Sequence, residues 1–204
     1  MTTRPNFAKA LVFVTVTIIV ALGCGTVAYL SPTSTPMSGP PAQVFIISEE
    51  VYPSGWKSLP CESLLCQSSG SAYEAYLISE ANQPGHLIQE VYRLDTLEEA
   101  SAKFAVYLKN DFKKKAADPE STEFSPPVEL PYTSPIADEY YFACGREFGL
   151  VCQMIARYRN YFISFYFDMD DGRGYGLTYS EVERILHWLD GKVSNLLGIP
   201  LPPK

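Results

Sequence analysis

Histidine and positive charge are both scarce in this chain, and each shortage removes a class of function. His86 and His187 are the only histidines among 204 residues, and neither Cys61/Cys66 nor Cys144/Cys152 has the two-residue spacing of a zinc knuckle, which speaks against a zinc site. Basic residues number 16 against 23 acidic ones. Every acidic residue follows position 40, whereas Arg4 and Lys9 precede it, so the later part carries 14 basic and 23 acidic side chains, a net charge of −9. A domain so acidic is repelled by phosphate backbones and anionic headgroups, which excludes nucleic acid as a partner. Charged residues make up 19 % and hydrophobic residues 47 %, a balance that excludes disordered and fibrous chains. Catalytic signatures are missing as well. Ser54 and Lys57 have Ser-x-x-Lys spacing, but Pro53 and Gly55 oppose a helix there, and the companion Ser-Asp-Asn and Lys-Thr-Gly motifs do not occur. No catalytic residue and no cofactor is expected.

What is present begins with an uncharged run from Ala10 to Leu30, 21 residues long. As a helix it would span about 30 Å, the thickness of a bilayer's hydrocarbon core. The basic flank lies on its N-terminal side, and the next basic residue is Lys57, which places the N-terminus inside and the rest outside. Two anchors fit residues 1–30. One is an uncleaved transmembrane helix. The other is a lipoprotein signal peptide, since Ala21-Leu22-Gly23-Cys24 resembles a bacterial lipobox and would make Cys24 the lipid attachment site. Residues 31–43, SPTSTPMSGPPAQ, read as an extended Ser/Thr/Pro tether. Residues 44–204 are then one extracytoplasmic domain at the cell membrane.

Four further cysteines, Cys61, Cys66, Cys144 and Cys152, read as two disulfides in an exported chain. Spacing favours the local pairs Cys61–Cys66 and Cys144–Cys152, the second around a Gly-containing turn.

Helical periodicity marks two segments. Thr96 caps the first, with Glu99 positioned to reach back, and Leu97, Ala100, Phe104, Leu108 and Phe112 form its apolar stripe. The second opens at Thr178 and stops at Gly198-Ile-Pro200, with Val182, Ile185, Leu186, Leu189, Val193 and Leu196 as the stripe. Strands are predicted over 73–79, 87–94, 139–144, 150–158 and 161–168. The last is apolar on both faces, the mark of a central strand. These elements predict an α+β fold, a mostly antiparallel sheet with both amphipathic helices on one side in a two-layer sandwich. Residues 117–137, with five prolines, read as a loop that buries little and is expendable for stability, a candidate binding element.

The order of a strand pair, a helix beginning DTLEEASAKF, a Pro-rich loop, a strand at ADEYYFAC, then IARYRNYFISF and a closing helix resembles the exported α+β domains related to the PsbP and Mog1 proteins. These include bacterial surface lipoproteins and kinase sensor ectodomains. The resemblance covers roughly residues 50–198 and implies a non-catalytic binding or assembly module. No functional position carries over.

Three further groups of residues were candidates for a site. Asp168, Asp170 and Asp171 in a Gly-rich turn offer oxygens to calcium, but Gly172 and Tyr179 stand where a calcium loop needs a ligand and its closing Glu. A solvated turn is the plainer reading. Tyr92, Tyr140, Tyr141, Tyr158, Tyr161 and Tyr166 would either line a pocket for a sugar or lipid headgroup or stand on a sheet surface that faces water, the reading preferred here. His86 and His187 read as structural or surface residues. The expectation is a non-enzymatic, membrane-anchored binding or sensing module for a small ligand or envelope protein. The alternatives are a hydrolase with dispersed catalytic residues and an assembly subunit of an envelope complex.

Overall fold

The computed structural model describes residues 39–59, 71–80, 85–113, 121–147, 149–172 and 174–203. The apolar run with Cys24, and the pair Cys61 and Cys66, lie outside the described residues. Among those described, no helix is long and apolar enough to cross a membrane.

Six antiparallel strands form one sheet in the order β1-β2-β3-β6-β5-β4. They are β1 (Trp56–Leu59), β2 (Ala72–Ser79), β3 (His86–Arg93), β4 (Glu139–Arg146), β5 (Leu150–Tyr158) and β6 (Tyr161–Asp168). β6 is central, as its apolar sequence on both faces requires. β1 escapes sequence reading because it is only four residues long, with a single buried side chain, Trp56.

Helix α1 (Leu97–Asn110) starts where Thr96 Oγ1 accepts the Glu99 N–H at 3.1 Å. The Glu99 carboxylate reaches one residue further back than expected, to the Asp95 N–H. Helix α2 (Tyr179–Leu197) has a full capping box between Thr178 and Glu181, and it ends at Gly198 in the left-handed region, φ 62°.

The α+β class, with an antiparallel sheet and two amphipathic helices, is what the chain adopts. The placement of the helices differs from the expected two layers, because they pack on opposite faces. Successive strand residues point to opposite sides of a sheet. Ile163, Phe165 and Phe167 of β6 meet Val182, Ile185, Leu186, Leu189 and Val193 of α2. Phe162, just before them in sequence, joins Ile155, Val151 and Ala143 on the other face, under Phe104 of α1. Each face of β6 carries large apolar groups, so each needs its own cover. The α1 stripe is also narrower than its sequence implies: Ala100 and Phe104 are buried and Phe112 follows the helix, whereas Leu97 and Leu108 are exposed. Leu196 of α2 is likewise exposed.

The expected tether is folded at its C-terminal end. Arg93 donates to the Gly39 carbonyl and Tyr161 to that of Pro40. Ala42 and Phe45, in a short 3-10 turn (Ala42–Phe45), are fully buried. Gln89, buried in β3, then accepts from the Ile47 N–H and donates to the Phe45 carbonyl, fixing this segment across the sheet.

The segment 117–137 also departs from its expectation. From Ser121 onward, where it is described, it is built into the domain. Ser125 exchanges both backbone hydrogen bonds with Cys144, each 2.9 Å, and so covers the edge of β4. Phe124 is buried against Phe112 and passes over Gly145, where a Cβ would stand 2.8 Å from its ring. A proline-rich stretch buries little only when its few aromatic and aliphatic residues face water, and here Phe124 and Ile136 face the core.

Cys144 and Cys152 are direct partners across β4 and β5 and form a disulfide, with Cα atoms 4.0 Å apart. Because the backbone groups of Cys144 bond Ser125 on the other side, this is a non-hydrogen-bonded pair, the site where facing side chains approach most closely. The bridge closes a loop of nine residues, for which chain entropy gives about 2–3 kcal/mol. Replacing both cysteines by alanine is expected to lower stability by that amount in urea denaturation. An unchanged midpoint would show that the bridge contributes nothing.

Candidate functional site

A bilobed cleft opens at the end of the sheet where β2 and β6 finish and β3 begins. Its inner lobe, about 380 Å³, lies between the turn before β1 and the loop joining β6 to α2, and its lining includes Ser54, Trp56, Glu80, Asp170, Tyr175 and Glu181. The outer lobe, about 580 Å³, adds Glu49, Glu50, Tyr52 and Lys57, and it shares Pro53 to Trp56 and Glu80 with the inner one.

Local backbone chemistry builds both walls. One wall starts at the 3-10 turn Glu49–Val51 and turns at Pro53, whose carbonyl accepts the Trp56 N–H; the Gly55 carbonyl then binds the Glu80 N–H at 2.7 Å. Gly55 has φ 91°, a conformation that suits glycine. The other wall folds back on β6 through Leu177, which donates to the Asp168 carbonyl and accepts from the Asp170 N–H. Gly176 is required there: it has φ 87°, and a Cβ would lie 2.6 Å from the Met169 carbonyl carbon.

The polar groups are held in place. Asp170 Oδ1 accepts the N–H groups of Gly172 and Gly174, at 2.9 and 3.0 Å. Glu181 is fixed by the capping box, and Glu49 Oε2 accepts the Ser58 N–H. Lys57 is ion-paired with Glu80, which holds its ammonium above the usual lysine range. The Tyr52 ring stacks near Trp56, with centroids 6.4 Å apart. Its hydroxyl is buried without a hydrogen-bond partner, and burial pushes the phenol far up.

The candidates drawn from sequence separate. Ser54 and Lys57 both border the cleft, but they sit on a turn and a strand, and a lysine engaged by Glu80 is a poor general base. The three aspartates do not converge: Asp170 caps its own turn, and Asp168 Oδ2 takes the backbone N–H of His86 at 2.9 Å and lies 3.1 Å from its Nδ1. Among the described residues no three metal-binding side chains gather. His187 is exposed, its ring tilted 55° against that of Tyr132 with centroids 4.3 Å apart.

The six tyrosines divide between the two faces. Tyr158 and Tyr161 do not face water as expected but are buried in the α2-side core, and Tyr140 stands beside them, donating to the Tyr132 carbonyl. Tyr92, Tyr141 and Tyr166 belong to the α1 side. Tyr92 and Tyr107 both donate to the Glu90 carboxylate, whose pKa burial raises, while Lys103 lies 3.6 Å over the Tyr92 ring. Burial pushes Tyr92 up to about 12. Sequence reasoning missed this cluster because Glu90 and Tyr92 lie on β3 whereas Lys103 and Tyr107 lie on α1. The cleft was missed for the same reason, although Trp56 and the glycines of 172–176 were visible signals.

Compared with known proteins, the chain matches no family model, no curated protein and no solved structure.

Proposed function

We propose that the described residues are the extracytoplasmic domain of a membrane-tethered binding or sensing protein that takes a small ligand in the cleft. The observation that carries this reading is the position of the cleft. Gly39 and Pro40 are bonded to the end of β3 at Arg93 and the start of β6 at Tyr161. The cleft lies at the opposite end of those strands, beyond Asp168 and before His86. An eight-residue strand is about 25 Å long, so the cleft and the Gly39–Pro40 segment stand at opposite ends of the sheet.

The uncharged run with its basic flank, the Ser/Thr/Pro segment and the second local cysteine pair, Cys61–Cys66, support export. Either anchor, a helix ending near Leu30 or a lipid on Cys24, leaves the domain on the same side. A layout like that of the PsbP and Mog1 proteins is part of this proposal. Protease added to spheroplasts is expected to digest the domain, and protection of residues 50–204 would overturn the topology. The cleft has its own reporter. With Trp188→Phe, Trp56 is the only tryptophan, and its emission is expected to change with the low-molecular-weight fraction of spent medium. Ser54→Leu, which fills the cleft, abolishes that change. A response equal in both proteins would place the ligand elsewhere.

One observation favours a second reading, a hydrolase: His86 and Asp168 are paired as a general base and its orienting carboxylate are. Under that reading His86→Ala removes turnover of ester substrates while leaving ligand capture intact.

A further inference from the structure

The composition of the cleft wall selects a class of ligand, an inference that rests on the cleft being the binding site. Five carboxylates line the two lobes, Glu49, Glu50, Glu80, Asp170 and Glu181, and Lys57, the single cation among the described lining residues, is already paired with Glu80. An anion entering here would meet net negative charge from both walls. A neutral ligand would leave that charge uncompensated.

Charge alone would be met by solvent and small ions. Two further features call for a shaped organic group. Trp56 lines both lobes, and its ring supplies the apolar wall against which a hydrocarbon chain can pack. Tyr52 lines the outer lobe, is only 5 % exposed, and has a buried hydroxyl with no hydrogen-bond partner. A buried hydroxyl without a partner is costly and uncommon in folded proteins. A phenol is protonated at neutral pH, and the lone pairs of this one meet no donor in the structure. The carboxylates are also preorganised: structural bonds of Glu49, Asp170 and Glu181 each use one oxygen and fix the orientation of the other.

We propose that the cleft binds a small protonated amine, its ammonium groups set against the carboxylates of Glu49, Glu80, Asp170 and Glu181 and its hydrocarbon body against Trp56. Two carboxylate-lined lobes meeting at Trp56 and Glu80 suit an amine with more than one charged nitrogen.

Spermidine is the probe. In the Trp188→Phe protein it is expected to give a saturable change in Trp56 emission, confirmed by calorimetry, and the affinity falls several-fold when salt is raised, as electrostatic capture requires. Glu49→Gln keeps an oxygen for the Ser58 N–H. Combined with Asp170→Asn, which keeps one for the glycine N–H groups, it is expected to weaken spermidine at least tenfold with the melting temperature unchanged. Tyr52→Phe weakens it several-fold. Citrate, of similar size and opposite charge, gives no response. The proposal is overturned by an absent or non-saturable spermidine response, by equal affinity in the double variant, or by citrate binding as tightly. The controls separate this inference from the reading beneath it. If spermidine fails while the medium fraction still acts through a site blocked by Ser54→Leu, the cleft stands and the amine class falls. If neither responds, both fall.

Discussion

Asp190→Ala is expected to lower the unfolding free energy by about 3 kcal/mol, as much as many hydrophobic core truncations. Asp190 lies on α2 and is 1 % exposed. Its two oxygens accept short hydrogen bonds, 2.6 Å each, from Tyr158 in β5 and Tyr132 in the segment before β4. One carboxylate therefore joins helix, sheet and connecting segment. Removing it leaves the Tyr158 hydroxyl buried with its main acceptor gone, and each such orphaned donor costs about 1–3 kcal/mol. Tyr132 is only half-buried and recovers part of its loss from water. The two oxygens act through shared partners, so the effects are not additive. Combining Asp190→Ala with Tyr158→Phe should cost less than the sum of the two, by about 1 kcal/mol or more, because the second change removes the donor that the first one orphans. Urea denaturation of the four proteins measures this. A loss below about 0.5 kcal/mol for Asp190→Ala would mean that the tyrosines are satisfied without it.

Asp190 also shows where the sequence was readable and where it was not. The apolar stripe of α2 was legible because burial at three- and four-residue steps leaves a repeating mark, and Thr178, Glu181 and Gly198 bound it with side-chain and backbone chemistry local to each end. A buried aspartate inside that stripe leaves no such mark. It looks like any solvated helix residue until the tyrosines that satisfy it, more than thirty residues away in sequence, are known. The strands followed the same rule. β6 was recognisable as central from its two apolar faces, and the turn at Arg159-Asn160 was placed correctly. There Arg159 holds φ 55°, with its N–H donated to Asp138 Oδ2 at 2.6 Å. The error lay in the inference from those faces. Phe162 and Tyr166 signalled a second covered face, which one helix on each side satisfies and two helices on one side do not. The cleft was least legible, since its walls come from residues 49–57, 79–80 and 170–181, and no short spacing links them.

The second large effect reverses the expectation for the proline-rich segment. Phe124→Ala is expected to cost about 3–4 kcal/mol, the range for a buried phenylalanine truncated in a packed core. Phe124 fills the space over Gly145 that a Cβ there would invade, and its ring meets Phe112 edge-on at 5.9 Å. Its backbone N–H is bonded to the Phe112 carbonyl, and the next residue pairs with Cys144. Loss of the ring thus loosens the strip that shields the β4 edge as well as opening a cavity. Val128, wholly exposed in the same segment, is the internal control: Val128→Ala should stay within about 0.5 kcal/mol. Exchanging residues 121–137 for a Gly-Ser linker removes Phe124, Ile136 and the Tyr132 bond to Asp190 together, and it is expected to leave the domain unfolded. A cooperative melt near the parent temperature in that exchange would restore the reading of the segment as a dispensable loop. Its other outcome, a chain without cooperative unfolding or near-ultraviolet dichroism, assigns residues 121–137 to the core of the fold.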